Sequence, residues 1–218
     1  MKIQITDYIK SKCPYLVLGC ISADVVVQAA TEELNAIITE LQKEKESLDM
    51  DKIKEITAIH HSREAYKALG KEPSRYRLSA EALHRRVVRG LGLYKINNVV
   101  DIINYISLKS GYSIGAYDKN KINGDITLDT GRIDDEYESI GRGMLNVENM
   151  PVLRDMFGAF GSPTSDSLRT MINEKTKEIF LLFYDFNKGG QLEDTLEETA
   201  FMLNKFAFSQ NIFVVKQE

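Results

Sequence analysis

Residues Lys95 to Asp118, KINNVVDIINYISLKSGYSIGAYD, leave this chain the fewest ways to fold. Val99, Val100, Ile102, Ile103, Ile106 and Leu108 recur at nearly helical spacing, which predicts a buried helix. Asp101, Asn104 and Ser107 fall three apart and share a polar strip on it. Gly111 is placed to end that helix in a left-handed cap. Tyr112 to Tyr117 then reads as a short strand, with Gly115 inside it where a backbone or a ligand comes close. Polar groups on a buried helix require partners, structural or bound.

The surrounding pattern is mixed. Ile3, Ile5 and Tyr8 read as an early strand or arm, and Tyr15 to Ile21 as a strand in a sheet covered on both sides. Thr31 is placed to cap a helix that runs to Ser47. Asp49 to Leu69 reads as a second helix stopped by Gly70, and Ser79 as the N-cap of a third. Asn123-Gly124 predicts a hairpin whose returning strand is Ile126 to Leu128. Met150 to Asp155, Lys177 to Phe186 and Ile212 to Val215 read as further strands, and Leu192 to Phe206 as an amphipathic helix. Residues 157–170, rich in glycine and hydroxyls, are expected to form a loop that carries function or satisfies its own backbone. Segregated helices and hairpin strands predict an α+β fold, one domain over residues 1–218, with helices packed on mixed or antiparallel sheets.

Apolar residues at 43% and charged ones at 28% are ordinary for a soluble domain. No run approaches the ~20 apolar residues of a membrane span. Asp7, Lys10 and Lys12 interrupt the N-terminal apolar stretch, so no signal peptide and a cytoplasmic setting are expected. Cys13 and Cys20 are therefore expected as reduced thiols. The histidines and cysteines have no metal-ligand spacing, and no cofactor is expected. Gly141-Arg142-Gly143 lacks the strand-then-helix setting of a nucleotide fingerprint.

A net charge of −4 argues against indiscriminate nucleic-acid binding, and no DNA partner is expected. The average hides an asymmetry. Nine Lys/Arg stand against three Glu between Arg63 and Lys95, while acidic residues gather at 129–138 and 193–198. Either a basic face steers a polyanion to one side, or these are solvated helix faces.

Val100-Asp101, Asn104-Tyr105, Leu108, Gly111, Ala116 and Asp118, followed by Asn123-Gly124-Asp125, form an ungapped pattern. It resembles the tRNA-editing module, B-three/B-four, of the bacterial phenylalanyl-tRNA synthetase beta chain. The arginine- and tyrosine-rich run Pro73 to Arg86 precedes it, as in free-standing versions of that module. The resemblance covers roughly residues 60–218, with 1–59 an N-terminal segment of strand and helices.

In the synthetase this module binds the 3′ end of charged tRNA and hydrolyses tyrosine wrongly attached to it. The resemblance thus implies an RNA-binding protein acting in trans on aminoacyl-tRNA. Where the family carries its editing Thr, His and Glu, this chain has Ile103, Gly115 and a position near Leu182 or Phe183. Ester hydrolysis needs a held water and hydrogen bonds around the carbonyl. Asn104, Ser165, Asp166 and Ser167 are the candidate catalytic groups, with Asp101, Ser107, Gly115 and Thr170 lining the pocket. Arg63, Arg75, Arg77 and Arg85 would take phosphates, unless they pair with the chain's many carboxylates, and Tyr66 or Tyr76 would stack on the terminal adenine. This reading has the central helix and the serine-threonine loop facing each other across a hollow rimmed by arginine. The alternative is a non-catalytic module binding an amino-acid-like or nucleotide ligand there. Aminoacylation is not expected, because no phosphate-cradling glycine motif is present.

Overall fold

The computed structural model describes residues 3–217. In chain order the elements are β1 (Ile3–Ile5), α1 (Asp7–Lys12), β2 (Val17–Asp24), α2 (Glu32–Glu46), α3 (Thr57–Ala68), α4 (Ser79–Val88) and α5 (Asn98–Ser110). Then come β3 (Ser113–Asp118), β4 (Ile126–Thr130), β5 (Glu138–Ser139), β6 (Gly143–Met144), β7 (Pro151–Asp155), β8 (Gly158–Gly161), β9 (Glu178–Asp185), α6 (Leu192–Ala207) and β10 (Gln210–Gln217).

Two four-stranded sheets are formed. One runs β10-β2-β9-β3 and is antiparallel throughout. The other runs β1-β4-β7-β8, with β1 parallel to β4 and the remaining pairs antiparallel. The fold is α+β, helices on mixed and antiparallel sheets.

Strand β9 sets the layers. Ile179, Leu181 and Phe183 point to a helical layer in which α2, α5 and α6 contribute Leu34, Ile102, Ile106, Leu196 and Leu203. Phe180, Leu182 and Tyr184 point the other way, onto Ile3, Ile126, Leu128, Leu153 and Phe160 of the second sheet. A third cluster joins the beginnings of α3 and α4 to Tyr137, Val147, Met150 and Val152. Helix α5 forms as its periodicity predicts, with Asn97 accepting from the Val100 amide at the start and Gly111 left-handed at φ 81° at the end. Thr31 caps α2 by accepting from the Leu34 amide.

Five local expectations are corrected. Helix α3 begins at Thr57 rather than near Asp49, because Ile53–Glu55 closes a 3-10 turn and Ile56 then takes ψ 123°, outside the helical range. Ser79 is the first helical residue of α4, not its cap; its amide donates to Pro163 O at 2.8 Å. Tyr8 lies in α1 and is exposed, not in a strand. Asn123-Gly124 does not close a hairpin: β3 and β4 belong to different sheets, and β4 enters between β1 and β7. Part of the expected loop is also a strand, β8.

Phe183 is wholly buried against the helical layer, so Phe183→Ala should cost about 3–5 kcal/mol of stability, read as a lower urea midpoint.

Candidate functional site

The loop from Ser162 to Ser167 is held by its own hydroxyls. Ser162 Oγ donates to Ser165 O at 2.9 Å and accepts from the amides of Thr164 and Ser165. Ser165 Oγ donates to Ile140 O at 3.2 Å, and Ser167 Oγ accepts from the Arg169 amide at 3.2 Å. From outside, Tyr137 Oη donates to Ser165 O at 2.7 Å, and Tyr66 Oη bonds Thr164 Oγ1 at 2.9 Å. Ser165 and Ser167, two candidate catalytic groups, are thus spent on backbone. Tyr66 is fully buried and cannot stack on an adenine, which corrects that expectation.

Asp166 differs from its neighbours. It is half-buried at the edge of β3, where its Oδ2 accepts from the Ala116 amide at 3.0 Å. The hydroxyls of Tyr117 and Tyr184 lie beside it, Tyr117 close enough to hold the carboxylate form. Thr170 Oγ1 has no hydrogen-bond partner among the described residues. Burial pushes the Asp166 carboxyl up to about 7. Gly115 does admit a close neighbour, but it is a side chain of this protein. A Cβ at Gly115 or Gly161 would lie 1.9 or 2.1 Å from Tyr117 Oη, so the two glycines make room for that phenol. The Tyr117 ring stands edge-on to Phe160 at 5.0 Å, fixing the hydroxyl between the sheets.

The polar strip of α5 is elsewhere. Asp101 Oδ1 accepts from the Ile96 amide at 2.9 Å and Ser107 Oγ donates to Tyr112 O at 2.7 Å, so both tie the helix to its flanking turns. Helix α5 covers the sheet face bearing Phe183, whereas Asp166 neighbours Tyr117 and Tyr184 on the face between the sheets. Asn104 and Asp166 therefore do not face each other, and Asp101 and Ser107 do not share a pocket with Gly115 and Thr170. The serine loop meets the strand half of the central unit, not its helix. Gly115 and Leu182 are cross-strand partners, while Ile103 lies in the helical layer.

The arginines converge, though not freely. Arg63 Nη1 donates to Glu81 Oε2 at 2.7 Å, Arg85 Nε donates to Glu81 Oε1 at 2.9 Å, and Arg77 Nε lies 3.5 Å from the same oxygen. Glu81 is 1% exposed. Three guanidiniums thus surround one buried carboxylate, with Glu64 and Glu72 also near Arg63. Arg77 is the loosest of them, its side chain 38% exposed. Arg75 is exposed beside the half-buried Tyr76 ring at 5.4 Å, and Lys71 lies over the same ring at 3.7 Å. The cluster adjoins the serine loop, since Thr164 Oγ1 donates to Tyr76 O and the Ser79 amide to Pro163 O. Glu81 escaped the sequence reading, yet its signal was there: it stands four residues from both Arg77 and Arg85.

Among the described residues no helix is long and apolar enough to cross a membrane. Residues 61–191 match the B3/4 domain family, a span that holds the arginine cluster, the serine loop and β9 and stops ahead of α6. The chain is 30% identical over 103 residues to the phenylalanine–tRNA ligase beta subunit of Aquifex aeolicus (strain VF5), covering 44% of this chain and 13% of that protein. It is 31% identical over 109 residues to the same subunit of Legionella pneumophila (strain Lens), covering 47% and 13%. The matched part is thus a small fraction of either relative. The crystal structure of an N-terminal fragment of the phenylalanyl-tRNA synthetase beta subunit from Pyrococcus horikoshii aligns with a TM-score of 0.49 at 13% identity, over all of this chain and 54% of that one.

A carboxyl whose folded value lies above its ordinary 3.8 favours the folded state at low pH and loses that contribution as pH rises towards about 7. Asp166→Asn keeps an acceptor for the Ala116 amide and carries no charge. The variant should therefore gain stability relative to the parent as pH is raised from 5 to 8, measured by urea unfolding at both values.

Proposed function

The chain belongs to the B3/4 domain family, and from that premise we propose that it binds tRNA and acts in trans on aminoacyl-tRNA. The observation that carries this is the set of Arg63, Arg77 and Arg85 around the buried Glu81, with Arg75 exposed beside them. A single carboxylate orients the guanidiniums without neutralising them, and oriented guanidiniums suit phosphate oxygens. The half-buried Tyr76 lies within this cationic patch and is the tyrosine of the two that remains available to a base. Such a role belongs in the cytoplasm.

In this reading editing is the chemical activity, and Asp166 is its acid–base candidate. A carboxyl poised near neutral pH suits that task. Asn104, Ser165 and Ser167 are the weaker assignments, the first because of its distance across the sheet and the serines because their hydroxyls already serve the backbone. A second reading, a non-catalytic module for an amino-acid-like or nucleotide ligand, draws support from the serine hydroxyls, which already serve the loop backbone.

Arg77→Ala should weaken tRNA binding across sequences and lower the slope of log affinity against log salt by about 1. Filter binding at several salt concentrations checks this, and an unchanged slope would remove Arg77 from the interface. Incubation with a panel of aminoacylated tRNAs separates the two readings. Deacylation of one of them, lost in Asp166→Asn, supports editing; tRNA or ligand binding without turnover supports the binding module.

A further inference from the structure

The α4–α5 connection, residues 89–97, presents apolar side chains to water on a backbone that is firmly held. Leu91, Tyr94 and Ile96 are 58%, 52% and 61% exposed. Yet the backbone around them is tied down: the Leu93 amide donates to Gln42 Oε1, the Ile96 amide donates to Asp101 Oδ1 at 2.9 Å, and Arg86 Nη2 donates to Leu91 O at 3.3 Å. Leu93 between them is buried in the helical layer. These side chains are therefore held outward by a fixed frame.

Their surroundings are of mixed charge, with Asp101 at the Ile96 amide and Glu32 and Glu40 near Lys95, but the cations sit at the tyrosine. The Arg86 guanidinium lies 3.9 Å from the Tyr94 ring centroid, and the exposed Arg89 and Lys95 flank the turn. A tyrosine ring backed on one side by a guanidinium and open on the other has the form of a base-stacking platform. Cations beside it supply phosphate contacts. Duplex bases present no free face, so the partner that fits is an unpaired stretch of nucleic acid.

We propose that Tyr94, backed by Arg86 and flanked by Arg89 and Lys95, stacks on an unpaired base of the bound RNA. Leu91 and Ile96 supply apolar contact beside it. This rests on the RNA-binding reading above and names the feature of the RNA that is recognised. Helix α4 connects the two stations: Arg85 reaches Glu81 from its middle, and Arg89 stands one turn further on, at the start of the platform.

The test is fluorescence anisotropy with a labelled single-stranded ribo-oligonucleotide, the same sequence as a blunt duplex, and anionic phospholipid vesicles as a competing surface. The parent protein should prefer the single strand over the duplex. Tyr94→Leu, at an exposed position, should lose about tenfold in affinity with its salt slope unchanged, and Tyr94→Phe should restore binding. Equal binding by parent and Tyr94→Leu overturns the platform while leaving the arginine cluster as the RNA site. So does an equal preference for the duplex. Binding to vesicles with no binding to either RNA overturns the platform and the RNA reading together.

Discussion

Strand β9 has water on neither face, and most other elements are placed by the need to cover it. Its three odd-numbered side chains from Ile179 to Phe183 require a helical layer, and Phe180, Leu182 and Tyr184 require a second sheet. Neighbouring strands inherit the requirement. β2 pairs along its whole length with β9 and turns Leu18 and Cys20 to the second sheet and Ile21 and Ala23 to the helices. Helix α5 meets it with Ile102 and Ile106, and α6 with Leu196 and Leu203. Of the sheet's two edges, β10 stays largely exposed, whereas α4 and the serine loop close that of β3: Ser113 Oγ accepts from the Ala80 amide and the Ala116 amide from β3 goes to Asp166. Covering an edge strand in this way removes a template for pairing with other chains.

That closure is made with a polar group where an apolar one would be cheaper. The Tyr117 phenol needs glycines at 115 and 161, and glycine inside a strand is destabilising by roughly 0.5–1 kcal/mol relative to alanine. Its hydroxyl and that of Tyr184 are also buried beside Asp166, which adds a desolvation cost. Phenylalanine at 117 and 184 would retain the rings without burying a hydroxyl. Sequences depart from local stability in this manner chiefly at sites that do something besides fold.

Legibility in the sequence followed the range of the interaction. Helix α5 and its Gly111 cap were readable because period and cap lie within one short segment, and β9 because an unbroken apolar run of that length has few other uses. The pairing of β4 was not readable. Asn123-Gly124 states that the chain turns, but Ile126 and Leu128 are buried between β1 and β7, and a turn residue carries no information about which sheet receives the next strand. The site divides in the same way. Arg77, Glu81 and Arg85 are one helical turn apart, so their meeting was available from spacing, whereas Arg63 arrives from another helix. The state of Asp166 depends on Tyr117 and Tyr184, which only the strand register brings near it. The hydroxyl-rich loop suggested chemistry, but its serines answer to their own backbone.

The arginines deserve the opposite inference from an ordinary ion-pair network. A carboxylate offers about four acceptor sites, so Glu81 can receive more than one guanidinium, while the cations around it repel one another. Around Glu81 the bonds are graded: Arg63 at 2.7 Å and Arg85 at 2.9 Å are closely held, and Arg77 at 3.5 Å is not. Stability alone gives no reason to add the third. On a chain whose net charge is −4, an excess of cations gathered at one end of α4 is a local field that the molecule as a whole opposes. A polyanion approaching the acidic remainder is turned away, and the same polyanion approaching α4 is drawn in. In the proposed tRNA-binding role this charge pattern would select an orientation before any contact forms.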